Sequence, residues 1–176
     1  MSLEPIYTLP AEKYWDILMR LPPRDLNTLC RTSSFFSSFC SDPKFQAAYE
    51  AKWHPHLRRQ YADNPSRGLY EAAVLNDRGL MEYFIEKRAG PLNDYDLSLA
   101  LRGAGYGGHM DLVLDLLDQY VRPVTARNLF YTFALEGAAA AGRKEFFDQL
   151  MQRTQEEGLI VELTQPLIAA IVNLQR

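Results

Sequence analysis

Leu101–Tyr120 reads LRGAGYGGHMDLVLDLLDQY, and its two halves have different characters. From Leu101 to Gly108 small residues dominate, as two closely packed helices require. From His109 onward Leu112, Val113, Leu116 and Leu117 form a bulky apolar stripe at helical spacing. The same pairing recurs along the chain. The bulky half aligns with NDRGLMEYFIEKRAG from Asn76 and GRKEFFDQLMQRT from Gly142, so the starts at 76, 108 and 142 lie 32 and 34 residues apart. In that register Leu80, Leu112 and Phe146 coincide, as do Phe84, Leu116 and Leu150. The small half recurs as LYEAA at Leu69, LEGAA at Leu135 and LIAAI at Leu167, with Ala72, Ala104, Ala138 and Ala170 three places after each leucine. Each repeat predicts a small-residue inner helix, a short turn, a bulky outer helix and a loop. One such hairpin leaves an apolar face bare, so successive hairpins must stack into a solenoid.

Outward toward the N-terminus the pattern changes near Asn64-Pro65, a predicted turn, and the boundary is placed there: 1–63 and 64–176. The first part contains LPAEKYWDILMRLPPRDLNTLCRTSSFFSSFCSDPKFQAAYEAKW, Leu9 to Trp53. Pro10 and Pro23 suit the starts of helices, because a first-turn residue needs no N–H partner. Ile17, Leu18 and Leu21 form one stripe and Leu26, Leu29 and Cys30 another; Ser33 or Ser34 can cap a third, turn-like piece carrying Phe35, Phe36, Phe39 and Cys40, and Asp42-Pro43 opens a further helix with Phe45, Ala48, Tyr49 and Trp53. Helices this short cannot bury their apolar faces among themselves, so a partner surface is expected.

The order Leu-Pro, Ile-Leu, Leu-Pro-Pro-Arg-Asp-Leu, Leu-Cys-Arg-Thr-Ser and Cys-Ser-Asp-Pro-Lys-Phe resembles an F-box, in the form found in large DNA viruses of eukaryotes. The resemblance covers about the first third of the chain. It implies docking to a Skp-type adaptor of a cullin-RING ubiquitin ligase, with Leu9, Pro10, Ile17, Leu18, Leu21, Pro22, Leu26, Leu29 and Cys30 facing either the adaptor or the module's own core. The period of the second part, with its Gly-His-Met-Asp-Leu-Val phrase at Gly108, resembles ankyrin repeats. The family's Thr-Pro-Leu-His opening survives only as fragments such as Gln165-Pro166-Leu167. The last motif, at Leu167, is followed by no outer segment. Either a terminal helix caps the array or the natural chain continues.

Composition narrows the function classes. The chain has 176 residues, 47% of them hydrophobic, enough for a core. Residues 67–176 carry eleven Lys/Arg against fifteen Asp/Glu, which opposes binding to a phosphate backbone, so no nucleic-acid partner is expected. The start MSLEPIYTLP lacks the basic and apolar regions of a signal peptide, and no run is long enough to span a bilayer. An intracellular protein, cytoplasmic or nuclear and without a membrane partner, is expected. The two cysteines, Cys30 and Cys40, sit among apolar residues, the pattern of buried free thiols.

Three stretches carry residues of chemical interest. GAGYGG, Gly103–Gly108, formally satisfies G-x-G-x-x-G, with Leu97–Leu101 as the strand a dinucleotide site needs. No Asp or Glu occurs between Arg122 and Leu135 to hold a ribose, and the repeat explains the glycines as packing and turn positions. Cys30, Cys40, His54 and His56 lack the paired spacing of zinc ligands, so no metal is expected. Asp111, Asp115 and Asp118 share a helix face that reads as solvated. No serine or cysteine sits in an activating motif. The reading is a non-enzymatic all-α protein without cofactor, an F-box-like short-helix module followed by an ankyrin-like α-solenoid. The resemblance implies a substrate receptor that links the ligase adaptor to a target protein. If the viral likeness holds, ligase and target would be the host's. Target contacts are placed on the inter-repeat loops, at Asn93, Asp94, Tyr95, Arg122, Thr125 and Arg127. The alternative is a structural or assembly protein, such as a virion component, that uses the repeats as a packing surface.

Overall fold

The computed structural model describes residues 10–88, 90–122, 126–164 and 166. Among these residues there are ten α-helices and no strand, so the all-α expectation holds. Leu9, Thr125, Leu167 and Ala170 lie outside the described residues. The chain divides into two compact units, Met1–Leu57 and Arg58–Arg176.

The first unit contains α1 (Ala11–Leu18), α2 (Pro23–Thr32), α3 (Ser34–Cys40) and most of α4 (Pro43–Gln60). Prolines and small polar residues set the starts. Pro10 and Pro22 are the N-caps of α1 and α2, Ser33 accepts from the Phe36 N–H, and Asp42 accepts from the N–H groups of Lys44 and Phe45. Leu18, Leu26 and Phe45 form the buried centre, with Trp15, Met19, Leu21, Leu29, Phe36, Phe39 and Tyr49 packed around it. Tyr49 and Lys52 tie α4 to the chain end of α1. The Tyr49 hydroxyl donates to the Leu21 carbonyl at 2.7 Å and the Lys52 ammonium to the Met19 carbonyl at 2.6 Å. These bonds give partners to the C-cap carbonyl of α1 and to a carbonyl of the loop that leads into α2. Burial, and secondarily the charge of Asp25, pushes the Tyr49 hydroxyl pKa up.

The second unit contains α5 (Pro65–Leu75), α6 (Arg78–Glu86), α7 (Asp94–Gly107), α8 (Met110–Tyr120), α9 (Arg127–Ala140) and α10 (Lys144–Glu156). Helices α5, α7 and α9 pack side by side as an inner layer, and each forms a hairpin with the helix that follows it. The repeat read from the leucines recurs in the backbone. Asn76, Gly108 and Gly142 all take positive φ, at 59°, 73° and 64°. Each ends an inner helix with the same pair of bonds. The N–H groups of Asp77, His109 and Arg143 return to the carbonyls of Ala72, Ala104 and Ala138, and those of Asn76, Gly108 and Gly142 to Ala73, Gly105 and Ala139. This is the Schellman closure, repeated three times at the sequence period. Leu69, Leu101 and Leu135 are fully buried, as are Ala72, Ala104 and Ala138.

Glycines set how closely the inner helices approach. A Cβ on Gly103 would run into the Tyr70 carbonyl, one on Gly105 into the Ala134 carbonyl, and one on Gly137 into the Arg102 carbonyl. The segment Leu97–Leu101, considered above as a strand, lies inside α7, so GAGYGG belongs to a helix and its closing turn. The strand–loop–helix phosphate cradle that the motif would need is not formed there.

Candidate functional site

The nine residues assigned to adaptor docking separate by burial. Leu18 (0% exposed) and Leu26 (8%) belong to the module's own core. Leu21, Leu29 and Cys30 are half-buried against that core. Pro10 and Pro22 are exposed at the first corners of α1 and α2, and Ile17 is 49% exposed although it directly precedes Leu18. Leu9 lies outside the described residues. Ile17 is therefore the apolar side chain of this set that faces outward from a helix.

The cysteines correct a sequence expectation. Cys30 of α2 and Cys40 of α3 are joined in a disulfide, with Cα atoms 6.1 Å apart, and are not free thiols. The apolar neighbours were read correctly, since both residues pack against the Leu18–Leu26–Phe45 cluster. The ten-residue separation carried no sign that α2 and α3 fold back on each other.

The residues assigned to target binding also take different roles. Asn93 is exposed, but its side chain caps α7 by accepting from the Asp96 N–H at 3.0 Å. Asp94 and Arg122 are exposed. The Arg127 guanidinium is 17% exposed, 2.5 Å from Asp118 and 3.8 Å from Glu157, so it ties the α9 entry to α8 and to the end of α10. Thr125 lies outside the described residues. Tyr95 is 65% exposed. Its counterpart 34 residues on is Leu129, 60% exposed in the first turn of α9, and sequence reading missed it. The repeat register itself would have found it. Two neighbouring inner helices thus show a large apolar side chain to solvent at the same position.

Charge around this surface is mostly paired within the protein. Arg102 reaches Glu136 at 2.7 Å between α7 and α9, and its guanidinium also lies 5.7 Å from the Phe133 ring centroid. Arg88 meets the buried Asp96 carboxylate at 2.5 Å, as an ion pair that misses hydrogen-bond alignment. The Tyr131 hydroxyl donates to Glu157 at 2.9 Å. Burial first and this bond second push the Tyr131 pKa up to about 12. Asp115 and Asp118, read as a solvated row, are exposed and bind Arg78 and Arg127 respectively. Between α6 and α8 a groove of about 130 Å³ is floored by Met81, Leu112 and Leu116.

Comparison with family models, with curated proteins and with solved structures gives no significant match. Among the described residues no helix is long and apolar enough to cross a membrane.

Proposed function

We propose that the chain is a substrate receptor, which docks a Skp-type adaptor of a cullin-RING ubiquitin ligase through its first unit and holds a target protein on its repeats. The observation that carries this reading is Ile17. An isoleucine half exposed beside a fully buried leucine, on a module of three short helices and one longer one, is apolar area left for another protein. The mechanism is proximity. A target held beside a ligase meets it at a high effective concentration, and the receptor makes and breaks no bonds. Tyr95 and Leu129, with the exposed Asp94 and Arg122, are the side chains proposed to touch the target.

The test is a pull-down of the full chain with a eukaryotic Skp-type adaptor, beside an Ile17→Asp variant whose melting temperature is checked. Binding by the parent chain and its loss in a folded variant support the receptor. A folded parent chain that captures no adaptor refutes it. The recurrence of exposed apolar residues at one register position also favours a second reading, a structural protein that packs these helices against neighbours in an assembly. Concentration-dependent association that Tyr95→Ser and Leu129→Ser abolish would single out that reading.

A further inference from the structure

Helix α3 packs on α2 and borders the core through Phe36 and Phe39, but it places no side chain fully inside it. It has seven residues, none of them fully buried, and an isolated helix of that length does not persist in water. Its attachments include edge contacts of Phe35 and Phe36 with the Tyr14 ring, at centroid distances of 5.2 and 6.0 Å, and a tilted contact of Phe39 with the same ring at 5.5 Å. The covalent attachment is the Cys30–Cys40 bond, made at the last residue of α3 to the eighth residue of the ten-residue α2. Both cysteines are half-buried, so the bond is neither sealed in the core nor displayed on a flexible tip.

We infer that the Cys30–Cys40 pair is a redox-sensitive staple: oxidised, it holds α3 against α2, and reduced, it lets α3 separate and fray. Closing the loop limits the open conformations available to residues between the cysteines, and reduction restores them. The reaction is thiol–disulfide exchange with a dithiol reductant. One reductant thiolate attacks a cysteine sulfur, the S–S bond breaks and the other cysteine leaves as a thiolate that takes up a proton. The second reductant thiol then resolves the mixed disulfide. Two electrons pass to the protein, both cysteines end as thiols and the reductant ends as a disulfide. The consequence is local to α2 and α3, where Leu29 and Cys30 border the core. The inference stands apart from the adaptor reading, because it concerns the order of α3 and not what binds there.

The experiment uses the full chain, equilibrated with oxidised glutathione or with dithiothreitol. Thiols are counted by alkylation and mass spectrometry, and amide hydrogen exchange is followed across residues 34–41. The oxidised chain should take up no alkyl group and the reduced chain two. Exchange in α3 should rise at least tenfold on reduction, while α5 to α10 keep their protection. The Cys30→Ser, Cys40→Ser double variant should exchange like the reduced chain in either buffer. A chain that remains a dithiol in oxidised glutathione overturns the inference, and so does equal protection of α3 in the two states.

Discussion

His109 Nε2 lies 2.9 Å from the carbonyl oxygen of Val74, a bond from the start of one outer helix to the end of the inner helix one repeat earlier. One repeat later Arg143 Nε donates to the Tyr106 carbonyl at 3.2 Å, and Tyr106 is 32 residues beyond Val74. Different side chains therefore do the same job at the same place. Replacing His109 by Ala should remove about 1 kcal/mol of stability, the net worth of a part-buried hydrogen bond. Arg143→Ala should behave alike, and the pair should add, because each bond joins a different pair of repeats. Chemical denaturation of the two single variants and the double variant checks this.

Glycine positions separate by what surrounds them. Gly105→Ala and Gly137→Ala each force a methyl group into the backbone of the adjacent inner helix, so both should cost about 2 kcal/mol or more, the range of an overpacked core. Gly79, inside α6, has only the Asp77 carboxylate within 4 Å. Gly79→Ala should stabilise by about 0.5–1 kcal/mol through helix propensity. Thermal melts of the three variants would show two shifts down and one up. A neutral Gly105→Ala would mean that α7 and α9 do not approach as described.

Arg88 is the cation beside Asp96, whose side chain is 1% exposed. Arg88→Met leaves a buried carboxylate uncompensated and should cost about 3 kcal/mol. Adding Asp96→Asn to that variant should return part of the loss, as read by denaturant midpoints.

Ile17 and Leu18 are neighbours with opposite expectations. Leu18→Ala should destabilise the first unit by about 2–5 kcal/mol, as for a buried leucine. Ile17→Ala, at a half-exposed site, should change stability by about 0.5 kcal/mol or less. Comparable losses from both would remove the argument that Ile17 is left for a partner.

Tyr131 gives a pH dependence with a definite sign. Its folded pKa of about 12 exceeds the ordinary value of 10.0, chiefly through burial. Below pH 10 the hydroxyl is protonated in both states and the contribution is fully present. Between pH 10 and 12 the unfolded chain ionises first, so stability falls as pH rises. Tyr131→Phe should flatten part of that decline in denaturation series run at successive pH values, with Tyr49 contributing in the same direction.

The repeat was legible because three separate requirements share its period. Leu69, Leu101 and Leu135 supply the buried stripe, Ala72, Ala104 and Ala138 the close contact, and the residues at 76, 108 and 142 the left-handed corner. Asn76 shows the limit of reading glycine alone, since asparagine fills the corner that glycine fills later. The outward residues were only partly legible. Asn93 and Arg127 have the composition of loop binding residues, yet one caps a helix and the other closes an ion network. Polar type does not reveal which bonds a side chain makes at home. The pairing of Cys30 with Cys40 was invisible for a similar reason, because it depends on the angle at the Ser33 corner and not on either helix.

Gly105 sits against the carbonyl of Ala134, while Gly137 sits against that of Arg102. The two notches are reciprocal, each helix lending its backbone to the other's gap. A pair of parallel rods keyed in this way resists sliding: a shift of one residue would bring Ala104 or Tyr106, Glu136 or Ala138, to a place with no room for a side chain. A load applied to the exposed ends at Tyr95 and Leu129 would therefore pass from α7 to α9 backbone to backbone, without one helix slipping along the other.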